Sequence, residues 1–410
     1  MDRTSFATTD LPQSVDLSKI RPGIQALQPH LVAVRRQIHR HPELGFQEKV
    51  TAELIQKKLQ EWGIQYQSGI AETGIVAILQ GKKTSYDLKG LAIRADMDAL
   101  PIQEENEVDY RSQNPGCMHA CGHDGHTAIA LMTAYYLSQH RDGFAGTVKI
   151  IFQPAEEHPG GALPMIQAGV LQNPEVDAIV GLHLWNNLPL GTIGVRSGPL
   201  MAAVEQFDIK IQGRGGHGAM PHQTIDAVVV GAQVVSALQS IVARNVDPLE
   251  SAVVTVGNFV AGNARNVIAD TAILRGTVRY FSSKFKDYFR QRITDLANSI
   301  CAAYGATCEV DYVNFYPATI NDEQITAMVR SIAMDVVTTP AGVVPDCQTM
   351  GAEDMAYFLQ EIPGCYFFLG AANVDRGLAY PHHHPRFDFD ETALMMGVEI
   401  FVRCVESHCS

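Results

Sequence analysis

The sequence predicts an α/β protein of two domains: a largely parallel sheet flanked by helices, with a smaller ferredoxin-like α/β domain inserted into it. Three observations carry this. The 410 residues exceed one ordinary domain of about 100–200 residues. Before residue 200, short apolar strands alternate with helices, the pattern of parallel strands joined by helical crossovers. After residue 200 the order becomes strand, helix, strand, strand, helix, strand, that of a ferredoxin-like sandwich.

Residues 1–23 are polar without a periodic pattern and are assigned as a tail. From Ile24 onward, Leu27, Leu31, Val34 and Ile38 fall on one helical stripe. A second helix covers 47–62 and stops at Gly63, a good C-terminal signal. Strands at 74–79 and 91–95, a helix at 127–139, and strands at 148–152 and 178–182 follow. Val204 to Ile211 alternates like a half-exposed strand. After a glycine-rich turn come a helix at 225–243, strands at 251–260 and 272–280, a helix at 284–303 and a strand at 307–313. Helices at 322–337 and 352–361, a strand at 364–369 and a last helix at 389–407 return to the first domain. The expected domains are therefore 24–200 with 313–410, and the insert 201–312.

Hydrophobic residues make up 46% and charged residues 18%, which fits a globular chain rather than a disordered one. The 31 basic and 44 acidic residues leave a net charge of −13. That argues against a nucleic-acid or anionic-membrane partner, since both need a basic surface. No apolar run approaches the roughly 18 residues of a membrane span. The stretch MDRTSFATTDLPQSVDLSK has no apolar core for a secretory signal, so a cytoplasmic location is expected. Eight cysteines are too few for a disulfide scaffold, and Cys117 and Cys121 do not form a C-x-x-C pair.

The chemistry gathers in polar clusters beside Gly and Pro. In MHACGHDGHTA (118–128), Cys121 and His123 stand two apart before a helix. A thiolate and an imidazole so spaced can converge on one borderline-soft cation, although such loop pairs are often unrelated. In IFQPAEEHPGG (151–161), Glu156 and Glu157 follow a strand end, where open α/β sheets bind ligands. Adjacent glutamates can equally be a solvated loop. If one binds a metal, the other lies within reach of its water and can serve as a general base. His183 follows an apolar strand in IVGLHLW, where a core role is the commoner one. YPHHHPRFDFDE (380–391) holds three consecutive histidines. Asp96 and Asp98 in LAIRADMDALP lie past another strand end, placed to hold a histidine N–H or a metal. His383 lies 200 residues beyond His183 with the insert between them, so a discontinuous domain would return it to the same face. Five ligands and a base exceed one four-coordinate site and favour two metals sharing a ligand, a pair typically about 3.5–4 Å apart.

On these residues the chain resembles the amidohydrolase branch of the aminoacylase and carboxypeptidase superfamily of metallopeptidases. That branch includes hippurate hydrolases, auxin-conjugate amidohydrolases and N-acyl-L-amino acid amidohydrolases. The likeness runs from RRQIHRHPELGFQE (35–48) to HHHPRFDFDE (382–391) and is carried by MHACGHDGH, QPAEE, GLH, GGHGAMPH and GAEDMAYF. It implies a metallopeptidase-type catalytic domain, with the insert as a lid and dimerisation module. Cys121 matches the bridging thiolate, and His123, Glu157 and His183 match metal ligands. His383, the histidine two before the proline, matches the last ligand, with His382 and His384 as neighbours. Glu156 matches the general base and proton shuttle, and Asp98 a carboxylate that orients a ligand. His217 in GGHGAMPH matches a lid histidine that stabilises an oxyanion, and Asn266 in RNVI a lid amide near the substrate. Gly218 departs from the pattern, where relatives often have Ala. The resemblance implies two divalent ions per subunit, zinc or manganese, with cobalt or nickel as alternatives. It also implies a homodimer or homotetramer formed through the lid.

The implied reaction is metal-dependent hydrolysis of an N-acyl-L-amino acid (N-acetyl, N-benzoyl or similar) to a carboxylic acid and a free amino acid. Metal-activated water attacks, with Glu156 as base and then acid. The substrate carboxylate needs a cation or amide donors, for which Arg265, Arg279 and Asn266 are candidates. A dipeptidase or carboxypeptidase of the same superfamily would prefer a free amine. A thiol hydrolase would use Cys121 as nucleophile with His123 or His126 as base. A non-catalytic binding protein would have no use for the paired glutamates. The other cysteines fit a packing role, except Cys409 at the terminus. His39 and His41 stand beside Pro42 at a helix end, and His119 and His126 bracket the ligand motif.

Overall fold

The computed structural model describes residues 11–86 and 88–410. The chain forms two compact units. The larger takes residues up to 200, together with 320–348 and 354–410, and the smaller takes 201–319 and 349–353. The smaller unit thus extends past the expected limit of 312. The strand Thr307–Tyr316 keeps its ladder to Tyr316, which pairs with Val204.

The larger unit is built on an eight-stranded sheet. Its strand order is Gln65–Ile70, Gly74–Gln80, Thr147–Gln153, Gly90–Asp96, Ala178–Pro189, Gly364–Ala372, Ile193–Gly194 and Val343–Val344. The four central strands run parallel, and the 65–80 hairpin is antiparallel. Gly90–Asp96, Thr147–Gln153 and Gly364–Ala372 are buried at every position, as strands covered on both faces must be. Helices Gln28–Arg40, Lys49–Glu61, His123–Gln139, Glu323–Val336 and Ala393–His408 supply the cover.

Three expectations need correction here. Part of the assigned tail belongs to the fold, while residues 1–10 lie outside the described residues. Leu17–Lys19 form a 3-10 turn, Ile20 is buried, and Arg21 pairs with Glu399 and Glu406 on the last helix. Polar neighbours concealed this sparse apolar spacing. The helix expected from 127 begins at His123, after Gly122 with φ 93°. Its first turn is polar because those side chains take buried partners: His123 bonds the Asp98 carbonyl, Asp124 pairs with Arg35 and His126 bonds Asp96. The strand expected to end at 182 continues to Pro189, so His183 lies inside it, opposite Phe368.

The smaller unit is an antiparallel sheet in the order Ala252–Ala261, Thr271–Tyr280, Ala203–Gln212 and Thr307–Tyr316. Helices Ala227–Asn245 and Tyr288–Ala303 pack on it. This is the ferredoxin-like arrangement. Its core joins Phe207, Ile209 and Ile211 to Val234, Leu238, Phe289 and Ile293. Among the described residues, Ala227–Asn245 alone is long and apolar enough to cross a membrane. It buries one face on this sheet and leaves Val228 and Val229 exposed.

Candidate metal centre

Parallel strands deliver their loops to one edge of a sheet, and ligands bind there. Asp96 ends Gly90–Asp96, Gln153 ends Thr147–Gln153, and His123 starts the helix behind them. Cys121, His123, Glu156, Glu157, His183 and His383 meet at this edge. The atoms of Cys121, His123 and His183 that could hold a metal lie within 4.8 Å of one another, as do those of Cys121, Glu157 and His383. His123, Glu156 and Glu157 form a third such group. Cys121, His123 and Glu157 each belong to two of these sets, so the groups overlap at one place.

The geometry around each side chain supports a cation. Cys121 Sγ is 3.4 Å from His183 Nε2, and His383 Nε2 is 3.1 Å from Glu157 Oε1. His123 donates Nδ1–H to the Asp98 carbonyl at 2.9 Å. Its Nε2 is buried without a hydrogen-bond partner and lies 3.9 Å from Glu156 Oε2. An orphaned buried imidazole nitrogen beside carboxylates and a thiol is a donor set that suits a borderline divalent metal.

Asp98 does more than face a histidine. Its two carboxylate oxygens accept from the Glu156 and Glu157 backbone N–H groups, each at 3.0 Å. Immediately before Glu156, Ala155 has φ 53°, and its N–H donates to Glu48 at 2.8 Å. The glutamate loop is thus fixed by two buried carboxylates. His383 has φ 64°, a conformation unusual for a residue with a side chain. Its N–H donates to the Ala120 carbonyl at 2.8 Å, tying the histidine run to the Cys121 segment.

Neighbouring histidines are engaged elsewhere. His382 Nε2 donates to the Leu184 carbonyl at 2.9 Å, and His384 Nδ1 accepts from Arg386 N–H at 3.0 Å. Of the three, His383 alone approaches Glu157. Asp96, His123 and His126 are also close enough to suggest a metal. However, Asp96 already accepts from His126 Nδ1 at 2.7 Å and from Arg94 at 2.7 Å. His39 bonds Asp124 at 2.8 Å and Glu104 at 3.2 Å, within a buried network around Arg35. His119 is buried with neither ring nitrogen partnered.

Charge states follow from these surroundings. Burial, then Glu157, Glu156 and Asp96, push the Cys121 thiol well above its ordinary value. A thiolate there needs added positive charge. Burial holds the His183 ring well below its usual value, so it is neutral and able to ligate. Burial opposes a charged His123, but Asp96, Asp98 and Glu157 outweigh it and raise the ring to about 10.

In the smaller unit, Gly216–His217 pairs with Val267–Ile268, which brings His217 beside Asn266. His217 is exposed, and its Nδ1 accepts from Ala219 N–H at 3.0 Å. That places its proton on Nε2, the tautomer able to donate. Arg279 is half-buried with Nη1 unpartnered, while Arg265 is exposed.

Arg94, Gln153 and Asp354 were not anticipated. Arg94 donates to Asp96, Gln153 and Asp354 at 2.7–2.8 Å, entirely buried. The available signal was a lone arginine within an apolar strand, since such a charge requires buried partners.

The model of peptidase family M20/M25/M40 matches residues 92–407. The chain is 47% identical over 307 residues to an N-acyl-L-amino acid amidohydrolase of Geobacillus stearothermophilus, covering 75% of this chain and 82% of that protein. It is 39% identical over 389 residues to thermostable carboxypeptidase 2 of Saccharolobus solfataricus, covering 93% and 96%. A solved structure of the Bacillus subtilis YXEP protein, a dinuclear metal binding peptidase, superposes with a TM-score of 0.80 at 37% identity, covering 94% and 99%.

Proposed function

The chain belongs to peptidase family M20/M25/M40 and is a hydrolase of amide bonds; on that premise we propose that it cleaves N-acyl-L-amino acids to a carboxylic acid and a free amino acid. Cys121, His123, Glu157, His183 and His383 would hold two divalent ions, with zinc first because a thiolate is among the donors and manganese next. The observation that carries this is that Cys121, His123, Glu157, His183 and His383 fall in overlapping ligand groups, with Glu156 joined to His123 and Glu157 in one of them.

When bound, the ions acidify a water and polarise the acyl carbonyl. Glu156 is buried beside His123 and fixed through its backbone by Asp98. It accepts the proton of the attacking water and passes it to the departing nitrogen, since an amide anion is a poor leaving group. His217 donates Nε2–H to the developing oxyanion, a contact typically worth about 3–4 kcal/mol of barrier. Asn266, with Arg265 or Arg279, binds the substrate carboxylate.

A thiol mechanism is disfavoured. Burial, then Glu157, Glu156 and Asp96, oppose an unliganded Cys121 thiolate. A carboxypeptidase activity is the second reading, favoured by the likeness to the Saccharolobus carboxypeptidase. Rates on acetylated and unblocked dipeptides separate the two. A homodimer or homotetramer through the smaller unit goes with this proposal. Its support is the unpaired edge strand Ala252–Ala261, with Phe259 39% and Val260 53% exposed, near the exposed Val228 and Val229. A cytoplasmic location also fits, because all eight cysteines are free thiols.

The deciding variant is Glu156→Ala. It should retain its metal and lose turnover of N-acetyl or N-benzoyl amino acids by about 10²–10⁴. Hydrolysis at the parent rate would refute the assignment.

A further inference from the structure

The backbone of Leu184 is held by three histidines, through the N–H of one peptide group and the carbonyl of the next. Its N–H donates to His126 Nε2 at 2.8 Å. Its carbonyl accepts from His183 Nδ1 at 2.7 Å and from His382 Nε2 at 2.9 Å. The reason lies in the sheet. The ladder between Gly90–Asp96 and Ala178–Pro189 stops at Arg94 and Gly181. Beyond that point, backbone groups on this side of the longer strand need other partners. Histidine rings take the place of the missing strand.

Each proton in the set is fixed by what lies behind it. Asp96 accepts two hydrogens from the Arg94 guanidinium and His126, so His126 carries its proton on Nδ1. Its Nε2 is then an acceptor, as the Leu184 N–H requires. The Leu184 carbonyl can only accept, so His183 must carry its proton on Nδ1 and His382 on Nε2. The rings also restrain one another. His183 meets His126 edge-on at 4.7 Å and His382 at 5.0 Å, while His382 stacks on Trp185 at 4.5 Å.

We infer that His126 and His382 are positioning residues that clamp the Leu184 backbone on either side of its Cα, so that His183 keeps its proton on Nδ1 and turns a bare Nε2 toward Cys121. That bare nitrogen is the form in which an imidazole binds a cation, and the hydrogen bond on its other nitrogen sets it. The identity of what His183 binds rests on the function proposed above; the clamp itself is made of hydrogen bonds within the chain.

Paired variants separate the clamp from general packing. His126→Asn keeps a donor for Asp96 but places nothing near Leu184 N–H, whereas His126→Gln carries a carbonyl to the Nε2 position. His382→Phe keeps the stack on Trp185 without the donor, and His382→Gln restores a donor. Long-range 1H–15N spectra of histidine-labelled, metal-stripped protein report the His183 tautomer. Zinc titration against a competing chelator reports affinity. The parent should show the Nδ1–H form. His126→Asn and His382→Phe should show mixed tautomers and bind one zinc about 10–100-fold more weakly, with recovery in the glutamine variants. A parent with the Nε2–H form would overturn the clamp. So would Asn and Phe variants that match the parent in both measurements. A parent with the Nδ1–H form that binds no zinc would count for the clamp and against the metal assignment.

Discussion

Asp98 grips the two glutamates by their backbone, which separates its role from that of a ligand. In Asp98→Asn, one oxygen facing an N–H becomes an NH2 group, and a buried donor left unpaired costs about 1–3 kcal/mol. The expected outcome is a loss of turnover by about 10–100-fold together with reduced metal content. Steady-state kinetics and elemental analysis check it, and a variant with full metal at the parent rate would contradict the role. Residues of this kind were partly legible in the sequence. Cys121, His123 and the Glu156–Glu157 pair stand out because reactive types crowd beside glycine and proline. The preference for His383 over His382 came from the resemblance, as the histidine two before the proline; the residues alone do not foretell that His382 instead donates to the Leu184 carbonyl. Asp98's grip on two amides was equally hidden, since backbone partners leave no mark on composition.

Among the helices, the decisive contact is the one that anchors His123–Gln139 at its start. Arg35, on Gln28–Arg40, is fully buried and pairs with Asp124 at 2.8 Å and Asp388 at 2.7 Å. Replacing it by Met leaves buried carboxylates without a counter-charge, and such a loss costs about 3–5 kcal/mol. Urea unfolding at pH 7 checks this. The pH dependence has a definite sign. Burial would raise Asp124 and Asp388, but Arg35 together with His39, and for Asp388 the Tyr110 hydroxyl, hold both below their ordinary 3.8. Groups depressed on folding stabilise fully above that value, and the contribution is lost as pH falls through the folded values. The stability gap between parent and Arg35→Met should therefore narrow below about pH 4. A gap constant from pH 3 to 7 would refute the pairing. Element boundaries were legible where periodicity was clean, as in the Val204 to Ile211 alternation. They were missed where function interrupts it. The polar HDGH hid a helix start, and the polar Asn186 and Asn187 hid the continuation of the strand past His183.

At the scale of the molecule, all five proposed ligands lie in the larger unit. A metal that binds only the folded form stabilises by mass action, about 2.7 kcal/mol at a hundred times its dissociation constant. Calorimetry should therefore resolve a transition that EDTA lowers and a second, from the smaller unit, that it leaves in place. A shift in both, or in neither, would contradict the allocation of ligands. The split of the larger unit between separate stretches of chain also has a consequence during translation. His383 leaves the ribosome roughly 200 residues after His183, a delay of about 10–40 s at synthesis rates of about 5–20 residues per second. Late in that interval, once residue 319 has been made, the smaller unit has most of what it needs to fold, while the proposed centre still lacks its final donor. On the proposed ligand set, the nascent chain therefore completes its metal centre last, and a thiophilic ion that reaches Cys121 in that interval meets an unfinished donor set.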